Sequence, residues 1–230
     1  MKKRLTLFSI LLLPPIIYIY FALGVPKAFR APFFGPRHAI QVKDKYGNPK
    51  TDTSYYSIPA FQYKTIDGTV FNSKLLDGNL YLALFMDPDS IKKTFAILAE
   101  DILTNKASFH YSRFVFFCPG DSLGNPPEDA ADFAKDLKLG TDTAITLFMK
   151  RSTFDSLHNY NYFIPDPTRK KDPWATWSDA VLIDHKARIR GYYNIRYAAE
   201  VKKMKEDVRF IMFRDKAAET IEQSSVEQKK

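Results

Sequence analysis

The sequence predicts an α/β protein, a mixed sheet with helices on both faces. Three observations point there. Residues 80–86, LYLALFM, form an unbroken apolar run of strand length, as a central strand covered on both sides requires. A helix signal follows directly, and a second strand and helix signal lie between 112 and 139. Residues 180–183 and 188–194 then read as a hairpin that leads into a last helix at 198–214. Strands that alternate with helices and close on a hairpin suit this architecture.

The central unit is the most explicit. Asp87 is an N-cap residue and Pro88 suits the first helical position. Ile91, Phe95, Leu98 and Ile102 follow at spacings of 4, 3 and 4, which puts them on one helical face. Asn105 closes that helix.

The remaining elements follow in order. Residues 1–4 are basic, and residues 5–23 are 19 positions without a charge. This stretch is long enough to span a bilayer, and the basic end predicts that the rest is exported. A cleavable signal peptide is the rival, because Ala22-Leu23-Gly24 resembles a small-x-small cleavage site. Residues 25–54, rich in proline, glycine and basic residues, read as a linker arm. Strand-like segments at 60–64 and 69–71 flank the turn Asp67-Gly68. Residues 112–118 read as a second buried strand and 143–149 as a third. Between them, a helix is expected at 128–139, stopped by Gly140. Residues 154–171 mix aromatics, prolines and a basic run, and read as loop with some helix. Residues 217–230 are polar and read as a frayed tail. The organisation expected is an anchor at 1–24, an arm at 25–54, a domain at 55–216 and a tail at 217–230.

Composition narrows the function. The net charge is +8, of which Lys2, Lys3 and Arg4 supply three. The surplus favours an anionic membrane surface or an acidic partner. Arg169-Lys170-Lys171 is too short to argue for nucleic acid, and no nucleic-acid module is present. Cys118 is the only cysteine, so an intramolecular disulfide and Cys-x-x-Cys chemistry are both excluded. It ends the apolar run 114–117, which predicts a buried, inert thiol.

Four segments, taken together, resemble the Sco/SenC family. These are membrane-anchored, thioredoxin-like proteins associated with copper delivery to cytochrome c oxidase. The segments are Ile58-Pro59-Ala60-Phe61 with Asp67-Gly68, residues 80–94, residues 114–126, and the hairpin LIDHKARIRGYY at 182–193. The resemblance covers 55–214 and implies a thioredoxin-like sheet. It also implies a copper site of a Cys-x-x-x-Cys pair and a distant histidine. Asp89 and Lys93 stand where the cysteines belong, and Thr176 stands near the histidine position.

The residues suggest why a fold of this kind survives such a change. A helix N-terminus attracts negative charge, which Asp87 and Asp89 supply permanently. Lys93, four residues after Asp89, can pair with it. Capping explains the two aspartates better than a cation site, which needs more oxygen ligands. His38, His110, His158 and His185 show no ligand spacing, and His185 reads as an exposed turn residue. Tyr160, Tyr162 and Phe163, with Trp174 and Trp177, form a candidate partner surface or a small apolar cluster under a loop.

The expectation is therefore a single-pass inner-membrane protein with a periplasmic domain. It is an accessory or assembly subunit of a respiratory oxidase or another membrane complex. No cofactor, catalytic residue or metal ligand is expected, and it is not an enzyme. The alternative is a copper or redox assembly factor with a relocated site built on Cys118 and a histidine.

Overall fold

The structure is a computed structural model. It describes residues 32–43, 46–86, 101, 104, 112–128, 144–164 and 179–227, the last fourteen of these by backbone alone. The expected anchor at 1–24 lies outside them. Among the described residues, no helix is long and apolar enough to cross a membrane.

Among the described residues, nine strands form two sheets. β1 (Arg37–Lys43) and β2 (Pro49–Tyr55) pair antiparallel as a separate hairpin. The other seven are β3 (Gln62–Thr65), β4 (Val70–Asn72), β5 (Leu80–Phe85), β6 (Ser112–Pro119), β7 (Ala144–Met149), β8 (Ala180–Ile183) and β9 (Ile189–Tyr193). They make one sheet in the order β4-β3-β7-β6-β5-β8-β9. The β5, β6 and β7 strands run parallel, while β3 and β8 flank them antiparallel. The parallel pairs need long crossovers, which 86–111 and 120–143 provide. Asp101 and Thr104 in the first crossover are helical.

Both faces of the central strands are buried, as their unbroken apolar sequence requires. All six β5 residues are buried, and Phe114–Cys118 of β6 are wholly inaccessible. Alternation sends Tyr81, Ala83, Phe85, Val115, Phe117, Leu147 and Met149 into one core. There Phe85 stacks on Phe117 at 4.9 Å and meets Tyr162 edge-on at 4.9 Å. A short helix, α1 (Arg151–Ser156), adds Phe154 to this face and runs into a π-helical turn at Leu157–Asn161. The last helix, α2 (Ala198–Glu227), covers the opposite face with Val201, Met204, Val208 and Ile211. Helices on both faces of a mixed sheet are thus present, and β3 to β9 lie within two residues of their expected limits.

Two elements differ from expectation. Within the linker arm, residues 37–55 form the β1–β2 hairpin; its strands lack an apolar face, so periodicity gives no strand signal. Further on, α2 continues past 214 to Glu227, because DKAAETIEQSSVE contains no glycine or proline and is rich in helix formers.

The arm before the hairpin docks on the edge strand β9. Phe34 N–H donates to the Ile189 carbonyl at 3.1 Å, and Phe34 meets the Tyr192 ring edge-on at 5.0 Å. Phe33 lies under the guanidinium groups of Arg190 and Arg188, at 4.1 and 4.6 Å, and stacks on Tyr55 at 4.1 Å. Such cation–π contacts contribute about 0.5–2 kcal/mol each.

Candidate functional site

In open α/β sheets, chemistry gathers at the carboxyl ends of the parallel strands. Here that edge is formed by Met86, Pro119 and Met149. Met86 N–H donates to the Phe117 carbonyl at 3.1 Å, and Gly120 N–H to that of Met149 at 2.7 Å. The loop beyond Gly120 is closed by Asp121, whose carboxylate accepts from the N–H groups of Leu123 and Asn125. Asp87, Asp89 and Lys93, the expected charged junction, lie outside the described residues, as do Thr176, Trp174 and Trp177.

The structure adds residues to this edge that the sequence did not single out. Asp179, just before β8, accepts from Phe85 N–H through its carbonyl at 2.9 Å. Arg196 Nε lies 3.4 Å from the Asp179 carboxylate. Burial pushes that carboxyl above its ordinary 3.8, against the opposing charge of Arg196 and the weaker influence of His158. His158 stands edge-on to Phe85, with ring centroids 5.5 Å apart, and its Nδ1 lies 2.9 Å from Asn159 Oδ1. Asp179 is three residues past Thr176. Nothing in the sequence links Asp179 to His158 or Arg196, because the sheet brings three distant segments together. The result is a shielded acid–guanidinium pair beside an imidazole.

Cys118 is fully buried, as its apolar run predicted. It points to the face opposite Phe117, whereas His158 packs against Phe85 on the Phe117 face. His185 is at the other end of the sheet, where its carbonyl accepts from Gly78 N–H. His38 is on the outlying hairpin. Neither lies on the stretch of β6 that carries Cys118. Among the described residues, no group of three histidine, cysteine or acidic side chains converges as a metal site. Cu(I) prefers soft thiolate ligands, and a single buried thiol does not fit it.

Two further expectations are corrected. His185 is half-buried rather than exposed, because it lines a cleft of about 210 Å³ with Phe61, Lys74, Leu76 and Tyr81. Tyr162 belongs to the core and not to a surface. It is inaccessible, and its hydroxyl lies 3.3 Å from that of Tyr81. Phe163 is half-buried against Tyr56, while Tyr160 alone of the three is exposed.

The LIDHKARIRGYY hairpin owes its form to one buried carboxylate. Asp184 accepts from the N–H groups of Lys186 and Arg188, from both Arg188 Nε and Nη2, and from Arg190 Nη1 at 3.1 Å. Burial pushes this acid up, but the Arg188 hydrogen bonds outweigh it and hold it below 3.8. Arg190 in turn donates to the Pro32 carbonyl, tying hairpin to arm. The signature is a structural device that fixes a tight turn.

Comparison of the coordinates with solved structures agrees with this arrangement. A SCO1/SenC family lipoprotein from Bacillus anthracis superposes with a TM-score of 0.52 at 20% identity, over 68% of this chain and 95% of its own. BsSco, described as a member of the Sco family of cytochrome c oxidase assembly proteins, gives 0.52 at 17% identity, over 68% and 93%. The fold is the Sco/SenC-like thioredoxin fold. No family model matches the sequence, and no curated protein matches it. The Sco-like sheet here carries one buried cysteine, and its described edge presents an acid–guanidinium pair.

Proposed function

We propose that this chain is a membrane-anchored, Sco/SenC-like accessory protein that works by binding rather than by thiol or copper chemistry. Its partner is a membrane complex of the respiratory-oxidase type. One observation supports this above the others: the only cysteine is sealed inside β6, fully inaccessible. Thiol exchange and Cu(I) capture by a cysteine both need an accessible thiolate, and a wholly buried thiol offers none. The shared fold supports kinship with proteins whose printed description is oxidase assembly. In this reading Asp87 and Asp89 cap the helix at the former reactive corner. Asp89, Lys93 and Thr176 replace the metal ligands. Tyr160, Trp174 and Trp177 contribute to the partner surface.

Affinity purification of the full chain from detergent-solubilised membranes tests the proposal. Subunits of one membrane complex are expected to co-purify. Recovery of the chain alone, or from the soluble fraction, contradicts it.

A further inference from the structure

A second site lies at the amino end of β5, away from Asp179, Arg196 and His158. Three segments, 58–61, 73–77 and 184–187, meet there around the cleft of about 210 Å³ that His185 lines. Hydrogen bonds between the segments hold it open. Ile58 N–H donates to the Ala187 carbonyl at 2.8 Å, and Gly78 N–H to that of His185 at 3.3 Å. Ser73 N–H donates to the Phe61 carbonyl at 3.0 Å, and Phe61 N–H to Ser73 Oγ at 2.9 Å. The space is thus pre-formed, as ligand sites usually are.

Ile58, Phe61, Leu76 and Ala187 give the cleft apolar walls. Several of its polar groups are already committed. Ser73 Oγ serves Phe61, the Tyr81 hydroxyl pairs with that of Tyr162, and the Asp184 carboxylate holds Arg188 and Arg190. Lys74 and Asp77 differ. Both line the cleft at its exposed rim, and among the described residues neither side chain has a hydrogen bond or ion pair. They stand three residues apart on a 3₁₀ turn, Ser73–Leu76 with Asp77 as its cap, and such a turn brings positions of this spacing to one side. A cation and an anion therefore share one rim without pairing with each other.

We propose that this cleft binds a free α-amino acid with an aromatic side chain. The ring enters between Phe61 and Leu76, the carboxylate meets Lys74 and the ammonium group meets Asp77. Size supports a ligand of this class. A cavity of about 150 Å³ holds one benzene ring. The cleft is therefore large enough for a ring and its methylene, and below the roughly 300–1,000 Å³ of sites for larger molecules. Charge supports it too. A ligand with one charge leaves one rim group facing a like charge, whereas an α-amino acid carries both signs on neighbouring atoms. Ring-on-ring contact with Phe61 adds a preference for an aromatic over an aliphatic side chain. The proposal is independent of membrane anchoring and of any protein partner.

The test is a saturation-transfer NMR titration of L-phenylalanine against the full chain in detergent, with empty micelles as background. Saturable binding with a dissociation constant of about 1 mM or tighter is expected. N-acetylphenylalanine lacks the ammonium charge and phenylalaninamide the carboxylate, and each should bind about fivefold more weakly. Lys74→Met and Asp77→Asn should each weaken L-phenylalanine by a similar factor. Both variants should keep the wild-type thermal midpoint, since neither side chain has a partner among the described residues. Absence of saturable binding overturns the proposal. Equal binding of phenylalaninamide marks recognition of an amine alone, as at a peptide N-terminus, and overturns it as well. Binding that both variants leave unchanged lies outside this cleft and has the same consequence.

Discussion

Tyr193 crosses over Gly191 on β9 and donates its hydroxyl to Asp207 of α2 at 2.7 Å. Residues two apart on a strand share a face, so only a residue without a side chain at 191 leaves room for the ring. A Cβ there would run into the Tyr193 hydroxyl. The Gly-Tyr-Tyr end of the hairpin is therefore what seats the last helix. Gly191→Ala should cost about 1–3 kcal/mol, since overpacking forces the ring aside. Tyr193→Phe should cost about 1.5–3 kcal/mol, the range for a hydrogen bond to a charged group. Urea unfolding followed by circular dichroism measures both.

Asp184 is the stronger stability determinant. Asp184→Asn removes the carboxylate charge facing Arg190, itself 3% exposed, and should cost about 3–5 kcal/mol. The sign of the pH dependence follows from the lowered folded pKa. Stability from this carboxylate is complete above its ordinary 3.8 and is lost as pH falls through the folded value. Acid unfolding should therefore begin at higher pH in wild-type protein than burial of apolar area alone would give, and Asp184→Asn should flatten that acid limb.

Asp179 behaves in the opposite way. Burial raises its folded pKa, so the native state holds the proton more tightly than the unfolded chain. Ionisation then reduces stability as pH rises from 3.8 through the folded value. Asp179→Asn should give a small gain in thermal stability at pH 7 that vanishes below pH 3.8. Arg196, about half exposed, loses little by this change.

The two aromatic positions separate packing from binding. Tyr162→Ala should cost about 3–5 kcal/mol, because a fully buried ring leaves a cavity. Tyr160→Ala, at a position 74% exposed, should leave unfolding unchanged and lower the yield of co-purified partner.

Much of this fold was legible because the central strands carry continuous apolar runs. β5, β6 and β7 announce themselves by 80–86, 112–118 and 143–149, and Asp67-Gly68 marks the turn between β3 and β4. The β1–β2 hairpin was not legible, since a ribbon exposed on both faces has no period-two signal. Tyr162 misled because an aromatic-rich loop looks alike whether its rings face water or a core. The Asp179–Arg196–His158 group was hidden for a different reason. Its members are joined only when β8 pairs with β5, and the π-helical turn after α1 brings His158 to Phe85. That the chain has no thiol pair is read by counting cysteines, which needs no fold at all.

The central claim is that a Sco-like sheet persists here without the chemistry of a thiol pair. A Cu(I) competition titration of the purified full chain in detergent, against a chromophoric chelator under reducing conditions, tests it most directly. The account predicts that the chelator keeps its copper at all protein concentrations, with Cys118 unreactive to maleimide until denaturant is added. Withdrawal of one equivalent of Cu(I) per chain from the chelator would contradict it.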